Sequence, residues 1–425
     1  MNGNQVIIDL NEEHSFYSIS VASYHMLNGI NIVANWQFVP NEEEPDLFHF
    51  FKILLSNVHR QDKTAYIGFP CSFCEIGSIL LFSTIFYLNN GKRQTPYSVA
   101  FVFNSLKFKQ SSYITDLINF HLKKISSLIH FKLQNTTSLL SEMTPYIRDI
   151  VLSCNEFIST GITRPEKFLF SITSFDVSFF ATCLQSHLQT QMTTIIEAQS
   201  LSECEQLFNF LSFFLLDEQL KMSSQKLNIH PIPGLFLQCM KPNTQQQFLY
   251  NELLCFQRPM TIIKLANKKV IHCNNFESQN RVFQEYSDNI INEHELSEEE
   301  IFIRLTKLKK EMIFEECKPS ELFLTFVQEF LKVPLSYCPV LCQQKMSEFV
   351  QKAVIIAEVA DTMLKQTRTK YLSPQQKSQI SELLEISCKE EMKVVCSFAQ
   401  LFDERVYNRF YSARHEVIKQ MIATI

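Results

Sequence analysis

Few residue pairs in this chain combine the type and the spacing that chemistry needs. Ser186 adjoins His187, a hydroxyl nucleophile beside a base, but successive residues on a helix point about 100° apart. The pair therefore reads as noncatalytic, and His187 as a helix-surface or capping residue. Cys71 and Cys74 form a CxxC, and Cys338 with Cys342 offers the second half of a zinc site. The looser second spacing and the lack of an adjacent histidine make core thiols the expectation for all four. The seven glycines, Gly3, Gly29, Gly68, Gly77, Gly91, Gly161 and Gly234, are nowhere closer than nine residues. A phosphate-cradling loop, a dinucleotide fingerprint, a kinase glycine loop and a nucleophile elbow all need glycines within a few residues, so none can form. HExxH is absent, and no carboxylate pair stands out from the general acidity. No catalytic, cofactor-binding or metal-binding residue is assigned, and no cofactor is expected.

Charge narrows the partners. The net charge is -5, with no concentrated basic stripe, which argues against nucleic acid. Lys123 and Lys124, Lys268 and Lys269, and the lysines at 307, 309 and 310 read as solvated faces. Thirteen cysteines, an odd number spread along a long chain, favour reduced and mostly buried thiols. Asp9, Glu12 and Glu13 stand where a signal peptide needs basic and then apolar residues. The longest apolar run, 76–88, is broken by Ser78, Ser83 and Thr84 and falls short of the ~20 residues that span a bilayer. With no lipidation signal at either end, membrane contact is expected to be indirect and the location cytoplasmic.

The elements are more legible than the chemistry. Residues 16–24 and 30–38 are β-rich and separated by a turn, which predicts a hairpin. Pro45 suits the first turn of a helix carrying Leu47, Phe50, Phe51, Leu54, Leu55 and Val58 on one stripe. Strands follow at 65–69, 78–88 and 97–104, with Asn89, Asn90 and Gly91 turning between the last two, then a long helix from near Ser111. Residues 134–167 read as a polar helical linker. Beyond it, the pattern predicts a strand at 168–173, a helix at 177–190, a strand at 193–198, a helix at 201–217 and a strand at 234–239. Strands at 260–265 and 268–273 close an α/β unit whose strands are expected to be parallel. Ser202 with Glu205 has capping-box spacing, although Ser200 serves equally well as a cap. Ser297 with Glu300 makes another box, within the acidic group Glu293, Glu295, Glu298, Glu299 and Glu300, which suits a helix start. From there the chain reads as helices, at 320–331, 342–365, 374–387, 390–401 and 404–421.

The order β, β, α, β, β, β, α resembles a longin domain, a sheet with helices that recurs in membrane-trafficking proteins and commonly pairs with another copy. ISVASYHMLNGINIVANW, residues 19–36, and YIGFPCSFCEIGSILLFSTIFYLNNGK, residues 66–92, resemble the first longin strands of the chromosome-nine open-reading-frame seventy-two family of DENN proteins. LQSHLQT, residues 184–190, is the most specific segment; LSFFLLDEQLKMS, 211–223, GLFLQCMK, 234–241, and FLTFVQEFLKVPL, 323–335, continue the similarity in order.

The resemblance implies four segments: a longin domain at 1–133, a helical linker at 134–167, a central DENN α/β domain at 168–292 and a helical C-terminal DENN module at 293–425. It implies a regulator of small GTPases of Rab or Arf type in endosomal, lysosomal and autophagic traffic, with a second longin/DENN subunit as heterodimer partner. An exchange factor remodels the switch loops of a GTPase by surface complementarity and needs no titratable dyad. A GTPase-activating complex needs an arginine finger, which in this family's assembly comes from the other subunit. Arg60, Arg93 and Arg164 fall in segments read as loops, and nothing marks them out from solvated arginines.

Overall fold

The computed structural model describes residues 5–10, 14–25, 27–39, 46–56, 71–90, 93–108, 112–135, 139–158, 161–164, 176–242, 253–273, 276–291, 296–334, 336–367, 372–403 and 405–411. The chain is mixed α/β, and its described residues form two six-stranded sheets and helices. It divides into two compact units, residues 1–160 with 287–304, and residues 161–286 with 305–425. Among the described residues, no helix is long and apolar enough to cross a membrane.

In the first unit the strands are β1 (Gln5–Asp9), β2 (Phe16–His25), β3 (Gly29–Val39), β4 (Cys71–Ile76), β5 (Ile79–Asn90) and β6 (Arg93–Asn104). They run in the order β1-β3-β2-β6-β5-β4. The hairpin β2–β3 and the pairs β2–β6, β5–β6 and β4–β5 are antiparallel, and β1 alone runs parallel to its neighbour β3. Ile76 faces Ile79 across a two-residue turn, and Gly77 takes φ 62°, where a side chain would be strained.

The helices of this unit are α1 (Leu47–Ser56), α2 (Ser112–Asn135) and α3 (Leu139–Ile158). Phe51 and Leu55 of α1 pack with Ala22, Leu81, Ala100 and Val102. The alternating residues of β5 and β6 face the other way: Phe82, Phe101 and Phe103 join Phe16 and Phe38 in an aromatic layer. Phe86 of the same face meets His130 of α2 edge-on. Val21 pairs with Ala34 and Ala22 with Ile32, so Val33 is an extra residue in β3. The bulge lets residues of one parity serve both faces. Ile30 and Ile32 pack toward α1, whereas Trp36 is fully buried and donates from Nε1 to Thr144 Oγ1 of α3 at 3.0 Å.

The stretch 134–167, read as a polar linker, holds α3, whose Met143, Ile147, Ile150, Val151 and Cys154 form a buried stripe. It packs on α2, β3 and β1, and its polar interruptions fall on both faces: Ser141 and Arg148 are exposed, whereas Asn155 is buried and Thr144 accepts from Trp36. The strand expected at 65–69 lies outside the described residues. So does the one expected at 168–173. Strands β1 and β4 were not anticipated.

The second unit is built on β7 (Thr194–Glu197), β8 (Ser224–Asn228), β9 (Leu237–Met240), β10 (Met260–Lys264), β11 (Lys269–Cys273) and β12 (Glu315–Glu316), in the order β12-β11-β10-β7-β9-β8. As expected, β7 and β9 are parallel; β10 and the unanticipated β8 run parallel to them as well, while β11 and β12 extend the sheet antiparallel. Strands β7 and β9 are buried throughout, the pattern of parallel strands covered on both faces.

Helices α4 (Val177–Gln189), α5 (Leu201–Ser212) and α6 (Asp217–Lys221) belong to the α/β part. The helix expected over 201–217 thus ends at Ser212, and Asp217 opens a new one. Next come α7 (Phe276–Ile291) and α8 (Glu298–Glu311), then α9 (Glu321–Lys332), α10 (Cys338–Thr367), α11 (Pro374–Leu383), α12 (Lys389–Ala399) and α13 (Val406–Tyr411). Ile195 of β7 and Ile262 of β10 face Val282 of α7 and Leu308 of α8. On the other side α4 packs against β10 and β11, and also against α9 and α12. An aromatic chain ties the same parts together: Phe180–Phe210 at 5.5 Å, Phe210–Phe330 at 5.1 Å, Phe323–Phe349 at 6.2 Å and Phe349–Phe398 at 6.3 Å.

Candidate functional site

The densest polar chemistry in the described residues lies on α4. Asp176 caps the helix by accepting from Phe179 N at 3.1 Å, and Lys268 Nζ bonds its other oxygen at 2.8 Å. That bond from Lys268 holds the Asp176 carboxyl below its ordinary range. From Phe180 to Gln189 every residue is buried, although the stretch includes Thr182, Gln185, Ser186, His187 and Gln189. Buried polar groups persist only when hydrogen bonded, and here the partners come from three directions.

Toward the sheet, Ser186 Oγ lies 2.7 Å from Thr261 Oγ1 of β10 and 3.0 Å from His272 Nδ1 of β11. Thr190 Oγ1 adds a 2.9 Å contact to the same Thr261 hydroxyl, and His187 Nδ1 lies 2.8 Å from Thr194 Oγ1 of β7. Toward α9, Gln185 Nε2 donates to Lys318 O at 2.9 Å while its Oε1 accepts from Ser320 N at 2.8 Å. Toward α12, Gln189 Nε2 donates to Glu390 Oε2 at 3.0 Å and Gln191 Nε2 to Ser397 O at 3.2 Å. Gln191 and Met192 both take positive φ, 52° and 62°, a strained corner that these amide bonds help to hold. The helix is a polar spine that fixes the sheet to the helices on its other side.

His187 is therefore neither a surface residue nor a cap. It is fully buried, and burial pushes its imidazole down to about 3. Ser186 does not pair with its sequence neighbour, as expected, but does meet a histidine from another strand. That contact is structural: Ser186 is 0% exposed and His272 4%, so no substrate reaches the oxygen. Burial, with Lys393 adding to it, pushes His272 down to about 4, leaving it a weak base at neutral pH.

The other candidates separate. Cys71 and Cys74 lie on β4, and Cys338 and Cys342 one turn apart in α10, with Cys338 Sγ 3.8 Å from Pro334 O. Among the described residues no group of three His, Cys, Asp or Glu could hold a metal ion. Arg164 Nη2 donates to Leu215 O at 2.8 Å and pairs with Asp217 at 3.1 Å, so its guanidinium is committed internally. Arg93 opens β6 rather than a loop, and Arg60 lies outside the described residues. Lys268 is tied to Asp176, and Ser297 and Glu300 form the expected capping box at α8. At α5 the cap is Ser200, not Ser202. A groove of about 590 Å³ opens between α9 and α10, with Phe326 and Leu341 among its apolar lining and Glu321, Glu329 and Glu348 among its acids. Such a lining suits a protein surface better than a reacting small molecule.

Comparison with curated proteins gives no match. The model of the C9orf72-like protein family matches residues 49–279, more than half of the chain. That span holds the whole polar spine of α4 and the segments 66–92, 184–190, 211–223 and 234–241, while 19–36 and 323–335 fall outside it. On this match the chain belongs to the C9orf72-like protein family.

Proposed function

We propose that the chain regulates small GTPases of the Rab or Arf type, as a DENN-type exchange factor in endosomal, lysosomal and autophagic traffic. The observation that carries this reading is the strand order β3-β2-β6-β5-β4, with α1 on one face and α2 and α3 on the other. That order, with β1 added at its edge, resembles a longin domain, and the parallel sheet with its following helices suits a DENN-like module. Family membership supports the same reading. An exchange factor loosens a bound nucleotide by remodelling the GTPase, so it works through a surface and requires no dyad. The enclosed Ser186–His272 contact is compatible with that.

A second reading is a noncatalytic scaffold in a GTPase-activating complex, with the arginine finger on a second longin/DENN subunit. One observation favours it: among the described residues β4 ends the first sheet, and Phe73 on it is 51% exposed. An apolar terminal strand is a template for pairing with another sheet. Recruitment to endosomal or lysosomal membranes would then be indirect, through these partners. Affinity capture of the full chain from its own cells, read by mass spectrometry, separates the readings. The scaffold reading expects a second longin protein, lost from the Phe73→Glu variant. The exchange reading expects a Rab- or Arf-type GTPase, enriched when nucleotide is stripped by chelating magnesium. Capture of neither class would sink both.

A further inference from the structure

The thiols of Cys204 and Cys239 touch inside the second unit. Cys204 sits in the first turn of α5 and Cys239 within β9, and both are fully buried. Cys239 Sγ donates to Cys204 Sγ across 3.1 Å. The sulfurs need only close by about 1 Å to reach bonding distance, and they lie on two elements already packed together.

We propose that Cys204 and Cys239 are an oxidisable dithiol, which a hydroperoxide converts into a disulfide stapling α5 to β9. The donated bond from Cys239 pulls the Cys204 thiol down and marks it as the attacking sulfur. The N-terminal turn of α5 favours the same anion, against Glu203 and Glu205. Elsewhere burial has the opposite effect, pushing Cys154 up to about 12 and Cys317 up to about 11.

The step balances with hydrogen peroxide as oxidant. The Cys204 thiolate attacks one peroxide oxygen, the O–O bond breaks, and a sulfenic acid and hydroxide result. The Cys239 sulfur then attacks the Cys204 sulfur; the S–S bond forms, the S–O bond breaks, and the oxygen leaves as water with the proton from Cys239. In sum two thiols lose two electrons and one peroxide becomes two waters. Full burial restricts the reagent to a small uncharged oxidant and disfavours a bulky disulfide such as oxidised glutathione.

The test is a non-reducing peptide map of the full chain after graded hydrogen peroxide, with remaining thiols blocked by N-ethylmaleimide during denaturation. The expected product is a linked peptide pair joining Cys204 to Cys239, lighter than the two free peptides by two hydrogens. In Cys239→Ser the resolving sulfur is gone, and dimedone present during denaturation should tag Cys204 as its sulfenic acid. Recovery of both cysteines as maleimide adducts, whether or not others oxidise, would overturn the proposal. So would linkage of Cys204 to any cysteine other than Cys239. The wild-type map decides the matter even if the variant does not fold.

Discussion

Lowering the pH from 6.5 to 4.5 should destabilise the second unit, and His187 and His272 are the reason. An unfolded histidine takes up a proton below about 6.5. In the folded chain, burial pushes His187 down to about 3 and His272 to about 4, so both stay neutral across this window. The unfolded state thus binds more protons, and stability falls as pH falls, levelling off only once the folded pKa values are reached. Each imidazole contributes a slope that rises from about 0.7 kcal/mol per pH unit at pH 6.5 to a ceiling of about 1.4, so the pair removes about 4–5 kcal/mol across the window, against a total domain stability of ~5–15 kcal/mol. Glu197, whose carboxyl burial raises, works in the opposite sense and softens the slope. Asp176, held down by Lys268, matters only below the histidine window, near pH 4. Around His272, Lys393 reinforces the depression and Glu390 opposes it. The assay is hydrogen exchange at residues 177–197 and 260–273, corrected for intrinsic rates, at several pH values. The single tryptophan, Trp36, lies in the other unit and cannot report it. His187→Asn, whose amide can replace Nδ1 in the bond to Thr194, should remove about half of the slope while costing about 1–3 kcal/mol at neutral pH. Protection in α4 and β7 that is flat or rising as pH drops from 6.5 to 4.5 would refute the reasoning.

Three further outcomes follow from the same contacts. Thr144→Val leaves the Trp36 Nε1–H without its partner and should cost the first unit about 1–3 kcal/mol, read as a lower urea midpoint in Trp36 fluorescence. Gln185→Leu removes both bonds to the segment before α9 and should raise hydrogen exchange at residues 318–324 well above any change in β7. Ser186→Ala should leave any effect on a GTPase intact apart from a stability loss of about 1–2 kcal/mol, measured by nucleotide release at a temperature where both proteins are folded.

Where the apolar period was strong, the sequence was readable. The β2–β3 hairpin, the stripe of α1 and the run of helices from α9 onward all follow from spacing that a solvated face or a turn residue interrupts cleanly. The missed elements lack that contrast. CSFCEI, which forms β4, alternates weakly because it ends a sheet, and its cysteines draw attention to metal instead. SQKLN, which forms β8, is polar because it too lies at an edge. In α7 the polar residues dominate, and only Val282 and a few neighbours reach the core. The spine was misread for a different reason. A polar helix segment ordinarily signals solvent, and only the positions of Thr194, Thr261, Ser320 and Glu390 in space reveal that most polar groups of LQSHLQT find enclosed partners, His187 Nε2 and Gln189 Oε1 excepted. No periodicity argument carries that information, because the partners lie up to two hundred residues away.

The most direct test of the account is release of fluorescent GDP from a panel of Rab- and Arf-type GTPases, with GTP hydrolysis followed in parallel. The full chain is added alone and then as the complex it forms in its own cells. At least one GTPase is expected to release nucleotide faster with the chain, or to hydrolyse GTP faster with the complex. If no GTPase on the panel changes in either reaction, regulation of small GTPases by this chain is contradicted.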